Sequence, residues 1–203
     1  MKIEVVVGNI VKQPDVEAVV NSANAHLRLG SGVAGAIHTA AGPKLEEHCK
    51  PFAPLTYGVF LVTPGFNLPN LWVIHVRAAS YTHHDDAPAI LEQALQAAIQ
   101  GAHQNDIRTM ALPAIGTGVF AFPPMLAAQI TAKVFSRKFF HINECITRIT
   151  TKQENILYLI QTRNSDILFP HVTEFFLGQD FTIYTGILTL VISKRISCDP
   201  FII

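Results

Sequence analysis

Neither sign of charge prevails in this chain. Fifteen Lys and Arg residues balance fifteen Asp and Glu residues among 203, and charged residues are only 15% of the whole. A balanced charge supplies no basic field for a nucleic-acid backbone and no acidic store for metal, so nucleic acid is not an expected partner. Cysteine is equally scarce: Cys49, Cys145 and Cys198 are odd in number, widely spaced and form no C-x-x-C. That usage excludes a disulfide framework and fits a reducing compartment. Long hydrophobic runs are missing too. The longest, Phe181 to Ile192, is broken by threonines, Tyr184 and Gly186 and is too short to span a bilayer. The opening Met1-Lys2-Ile3-Glu4-Val5 has neither an apolar signal core nor a cleavage site, so a cytoplasmic protein with no membrane partner is expected.

What the chain has in abundance is hydrophobic residues, at 49%. That proportion suits strands buried on both faces, and the length suits one domain with a proper core. The organising stretch runs from Asn21 to Gly42. Before it, Val16 to Val20 is an apolar, β-branched run that reads as a buried strand. After it, Val33 to Ala41 reads as a helix ended by Gly42 and followed by Pro43. A strand, a glycine-rich loop and a helix in that order aim backbone N–H groups and a positive dipole end at one spot, which suits a phosphate. Gly30, Gly32 and Gly35 remove the bulk that would keep a diphosphate from the backbone.

Along the rest of the chain, Lys2 to Val7 reads as an outer strand ending in the turn Gly8-Asn9-Ile10. Strand carboxyl ends hold ligands in open α/β sheets, so Asn9 is either a base or sugar contact or a turn former. Pro43 to Lys50 reads as a short helix, and Gly58 to Thr63 with Leu71 to Val76 as a hairpin. His83, His84, Asp85 and Asp86 lack the spacing of a metal site, and Asp86 is expected to cap a helix over Ala87 to Gln104. No metal or cofactor is expected. Arg108 to Leu112 reads as another strand, and Pro113 to Pro124 as a second glycine-containing loop before a helix running to about Phe140. His141 to Asn155 shows only a short alternation at Ile146 to Ile149. Ile156 to Ile160 then reads as the last buried strand, Ser165 to Leu177 as a closing helix, and 178–203 as an extension that adds an edge strand, pairs with another molecule or stays loose. Alternating strands and helices imply an α/β protein with a largely parallel or mixed sheet covered on both faces.

Taken together, five segments resemble the macro domain, the ADP-ribose-binding module: Gly8-Asn9-Ile10, Val19 to Asn24, Gly30 to His38, Val73-Ile74-His75 and Pro113 to Phe120. The resemblance spans about Lys2 to Leu177 and implies a three-layer α/β/α sandwich whose strand ends take ADP-ribose or a mono-ADP-ribosylated protein. It implies that Gly8, Asn9 and Ile10 flank the adenine. Asn21, Ala23, Gly30, Ser31, Val33 and Ala34 line the cleft from the first loop. Pro113, Ile115, Gly116, Thr117, Gly118 and Val119 line it from the second. Asn24 would hold the distal ribose, donating and accepting through its amide, with Gly32 and Phe120 shaping the reacting end.

Three departures qualify the activity that the resemblance implies. Asn9 stands where family members usually carry an Asp that accepts from the adenine amino group. Gln161 occupies the position expected for an aromatic stacked on the adenine. Ala34 replaces the Asp of the hydrolase branch, ten residues after Asn24. Viral macro domains with Ala at that place are hydrolases, in which the ligand's phosphate helps to activate water. The implied function is ADP-ribose binding with weak hydrolysis of mono-ADP-ribosyl esters or O-acetyl-ADP-ribose. The alternatives are a non-catalytic reader and, more remotely, a poly(A)- or RNA-binding domain.

Overall fold

The computed structural model describes residues 2–139, 145–150, 157–162 and 188–193. Strand β1 (Lys2–Val7) is followed by β2 (Ala18–Ala23), helices α1 (Gly32–Ala41) and α2 (Pro43–Cys49), and a 3-10 turn at Lys50–Phe52. Then come β3 (Phe60–Pro64), β4 (Trp72–Arg77), α3 (Ala87–Gln104), β5 (Thr109–Pro113), α4 (Pro124–Phe139), β6 (Cys145–Thr150), β7 (Leu157–Thr162) and β8 (Leu188–Ser193). The strands form one eight-stranded mixed sheet in the order β3-β4-β2-β5-β8-β1-β6-β7.

Alternation within the strands divides the core in two. Ala18 and Val20 of β2, Ile74 and Val76 of β4, and Met110 and Leu112 of β5 pack with α3 and α4. The intervening Val19, Val73 and Ala111 pack with Ile37 of α1 and Leu45 of α2. Because neighbouring residues of a strand face opposite ways, one sheet serves both helical layers and the fold is an α/β/α sandwich. The expected apolar face of α3 is there: Leu91, Ala94, Leu95 and Ala98 are buried, with Ile90 and Ile99 at its margin.

Strand direction places the loops. β2 runs parallel to β4 and to β5, and both β5 and β1 run antiparallel to β8. The carboxyl ends of β1, β2, β4 and β5 therefore share one edge of the sandwich. At the opposite edge Glu17 clamps the strand starts: its carboxylate accepts from Arg108 N–H at 2.6 Å, its N–H donates to Thr109 Oγ1 at 2.8 Å, and its carbonyl accepts from Trp72 N–H at 3.0 Å.

Three expectations about sheet position change. β1 is an interior strand between β8 and β6 rather than an outer one. β7, expected to be the last buried strand, is the sheet edge among the described residues and pairs there with β6. The 178–203 extension contributes β8, which lies inside the sheet between β5 and β1. The alternation at Ile146 to Ile149 belongs to β6, and the closing helix expected at 165–177 lies outside the described residues. No helix among the described residues is long and apolar enough to cross a membrane.

Candidate functional site

The loop from β2 to α1 is built around Asn24. Its Oδ1 accepts from the N–H groups of His26 (3.1 Å) and Arg28 (3.2 Å), and its Nδ2 donates to the Arg28 carbonyl at 2.8 Å. Two of the amide's acceptor positions and one of its two N–H donors are spent on the loop. What Asn24 has left for a ligand is a single N–H, so it can donate to a sugar hydroxyl but has no lone pair to spare. Leu27 next to it adopts φ 54 and buries its side chain at 1% exposure, which nails the loop to the core. Leu29 N–H donates to Glu46 Oε2 at 2.9 Å, and Leu55 N–H to the Ala25 carbonyl at 2.8 Å.

Among the described residues nothing satisfies the first turn of helix α1. Ser31 holds the cap position without a side-chain hydrogen bond, and no acidic residue stands in the first turn. The N–H groups of Gly32, Val33 and Ala34 find no acceptor among the described residues. Orphan donors backed by a helix dipole favour an anion. Gly35 lets the loop fold this tightly, since a Cβ there would run into the Gly30 carbonyl oxygen. At Gly32 a Cβ would meet nothing within 4 Å, so that position opens on space.

The second loop leaves β5, the hydrogen-bonded neighbour of β2, so it starts a strand's width from the first. Ile115 is buried at 2%, and Gly116 turns at φ +84 where a Cβ would meet the Phe122 ring at 2.8 Å. Thr117 Oγ1 donates to the Ala114 carbonyl at 2.9 Å, and Phe122 N–H to the Gly116 carbonyl at 2.9 Å. Between these anchors the N–H groups of Gly118, Val119 and Phe120 have no acceptor among the described residues, and Val119 is 69% exposed. Phe120 packs in part against the α3 and α4 core.

A third segment, after β4, was not foreseen as part of the site. Tyr81 N–H donates to the Phe120 carbonyl at 2.8 Å, and the Tyr81 and Phe122 rings lie 5.0 Å apart. The His83-His84 pair belongs to this segment. His83 Nδ1 lies 2.8 Å from Ser80 Oγ, and His84 bridges Tyr57 Oη at 2.9 Å and the Ser80 carbonyl at 3.1 Å. Asp86 occupies the cap position of α3 but makes no side-chain cap hydrogen bond. Among the described residues no group of three or more His, Cys, Asp or Glu side chains is set to hold a metal.

Other expected contacts turn out to be support rather than lining. Asn21 is fully buried. Its Nδ2 donates to His75 Nδ1 at 3.0 Å, and since an amide nitrogen can only donate, His75 carries its proton on Nε2 and passes it toward Thr63 Oγ1, also at 3.0 Å. The Thr63 hydroxyl donates in turn to the Pro64 carbonyl at 3.2 Å. Burial, and then the neighbouring His38 and His48, push the His75 pKa down to about 3. Cys49 lies 3.9 Å from His75 Nε2, and burial with the nearby Glu46 carboxylate raises its thiol to about 11, so it is no nucleophile. Ile10, Ala23 and Pro113 are buried core residues behind the loops, and the Ala34 side chain is buried with them, leaving only its N–H to the loop. Gly8 precedes exposed Asn9 at the β1 exit. Gln161 is not brought to this edge: it lies on β7, four strand positions from β5, and near the end of a strand that runs against β1.

A family model described as Macro domain matches residues 20–131. The chain is similar to a macro domain-containing protein of Ralstonia nicotianae, 42% identical over 118 residues, covering 58% of this chain and 69% of that protein. It is also similar to the O-acetyl-ADP-ribose deacetylase of Salmonella gallinarum, 37% identical over 141 residues, covering 66% of this chain and 78% of the relative. Among solved structures, a mutant of the Oceanobacillus iheyensis macrodomain with ADPR matches with a TM-score of 0.62 and 31% identity. That match covers 65% of this chain and 75% of the other.

Proposed function

The chain belongs to the macro domain family, and from that premise we propose that it binds ADP-ribose, free or attached to a protein, and slowly hydrolyses mono-ADP-ribosyl esters or O-acetyl-ADP-ribose. The observation that carries the proposal is the row of unspent N–H groups on Gly32, Val33 and Ala34 beside those on Gly118, Val119 and Phe120. A diphosphate is the ligand such a pair of loops suits, because it brings anionic oxygens on two sides at once. Gly30, Ser31, Gly116 and Thr117 shape the two backbones that carry these donors. The remaining Asn24 N–H donates to a distal ribose hydroxyl, Phe120 packs against that ribose, and Asn9, anchored by the buried Ile10, marks the base end.

No side chain from Gly30 to Ala36 or from Pro113 to Phe122 can act as an acid or base. In hydrolysis, water adds to the ester carbonyl, the bond to the ribose oxygen breaks, and the water's proton reaches that oxygen by way of a ligand phosphate oxygen. Lack of a protein base costs about two to four orders of magnitude in rate, so turnover is slow. The same absence favours a second reading, a module that reads ADP-ribose without cleaving it.

Calorimetric titration with ADP-ribose, followed by a long incubation with a mono-ADP-ribosylated carrier, tests both halves. Binding with slow release that Asn24→Ala abolishes is the expected result. Binding without any release leaves the reader function alone, and absence of binding overturns the proposal.

A further inference from the structure

We infer that Asn9 sets the base preference of the cleft and turns it from adenine toward a 6-oxopurine. This rests on the reading above that the base of a nucleoside diphosphate ribose lies at the β1 exit. Asn9 is exposed, yet its amide is oriented by the turn it sits in. Its Oδ1 accepts from the Val11 N–H at 3.1 Å, while its backbone carbonyl accepts from Lys12 N–H at 3.0 Å and from Gln13 Nε2 at 2.9 Å. Ile10, the next residue, is completely buried and fixes the turn to the core.

An N–H can only donate, so the amide atom facing Val11 is the oxygen, and the orientation is settled by chemistry. Oδ1 and Nδ2 diverge from Cγ, which leaves the Nδ2 group turned away from the turn. Its two donors have no acceptor among the described residues. The base end of the cleft therefore presents donors.

Adenine carries an amino donor at C6, whereas hypoxanthine and guanine carry a carbonyl acceptor there. Donor against donor gains nothing. Adenine can still be held through its ring nitrogens, but without a contribution at C6. A 6-oxopurine completes a neutral hydrogen bond, which corresponds to roughly three- to tenfold in affinity.

The test is calorimetry of the whole chain with inosine diphosphate ribose and with ADP-ribose, repeated on Asn9→Asp. The unsubstituted protein is expected to bind the inosine compound about three- to tenfold more tightly. In Asn9→Asp one carboxylate oxygen keeps the Val11 N–H and the other faces outward as an acceptor, so the preference reverses toward ADP-ribose. Equal affinities, or tighter ADP-ribose binding by the unsubstituted protein, overturn this inference and leave the diphosphate reading standing. No binding of either compound overturns both. An Asn9→Asp protein of unchanged melting temperature whose affinity ratio does not move also overturns it.

Discussion

His75 is the side chain with the least room to change state. It lies between an Asn21 amide that can only donate to it and a Thr63 hydroxyl that it holds in turn. A second ring proton would face the Asn21 N–H unless that amide turned over, and burial opposes the added charge in either case. The unfolded chain takes that proton near pH 6.5, but the folded one refuses it until about pH 3. A pKa lowered on folding contributes stability above the unfolded value, and that stability drains away as pH falls from about 6.5 toward 3. Burial of His38, opposed by the Glu46 carboxylate, acts in the same direction. The urea midpoint is therefore expected to drop between pH 7 and pH 4, and His75→Gln, although less stable at pH 7, is expected to show a flatter profile. A midpoint independent of pH in the unsubstituted protein contradicts this. At Asn24 the side chain holds three loop hydrogen bonds. Asn24→Ala should lower stability by roughly 1 to 3 kcal/mol and weaken ADP-ribose binding by more than tenfold, read by denaturation and calorimetry.

Among elements, α1 makes the sharpest demand on the sequence. A methyl group at position 35 collides with the Gly30 backbone, which has no flexible end to swing aside. Gly35→Ala is expected to displace the loop and abolish ADP-ribose binding while the far-UV circular dichroism stays near native. Helix α3 is held by burial instead. Leu95 is completely buried, so Leu95→Ala should cost about 2 to 5 kcal/mol in chemical denaturation with ligand affinity largely kept. Both helices were legible in the sequence for physical reasons. The α3 stripe repeats at helical spacing, and α1 lies between a glycine-rich loop and a left-handed Gly42. The loops after β2 and β5 were legible too, because glycine marks where backbone must bend or come close. Asn24's division of its hydrogen bonds was not, since that depends on where the Arg28 and His26 backbones come to rest. Nor was the tie from Tyr81 to Phe120, which joins loops distant in sequence through main-chain atoms that carry no residue code.

Among the described residues, sequence pattern told strand from helix but could not order the strands. β1, β7 and β8 are all rich in β-branched and apolar residues, and composition cannot say which of three such segments ends inside the sheet. Pairing between segments as far apart as β1 and β8 is decided by register over nearly the entire chain, for example Ile3 opposite Ile192. Removing everything after residue 187 should leave β1 and β5 with unpaired edges. The truncated protein is expected to lose its cooperative unfolding transition and to aggregate, as followed by calorimetry and light scattering. A truncated chain that melted cooperatively and bound ADP-ribose normally would contradict this placement of β8.

The position of β8 also governs when the protein becomes competent during its own synthesis. Asn9 is made before the two glycine-containing turns, which are complete by residue 123, yet the strand that lies between β1 and β5 is made only at residues 188–193. A nascent chain halted before that point lacks the strand that joins the β1 side of the sheet to the β5 side, so a grip on nucleotide is expected only once β8 has been made and inserted.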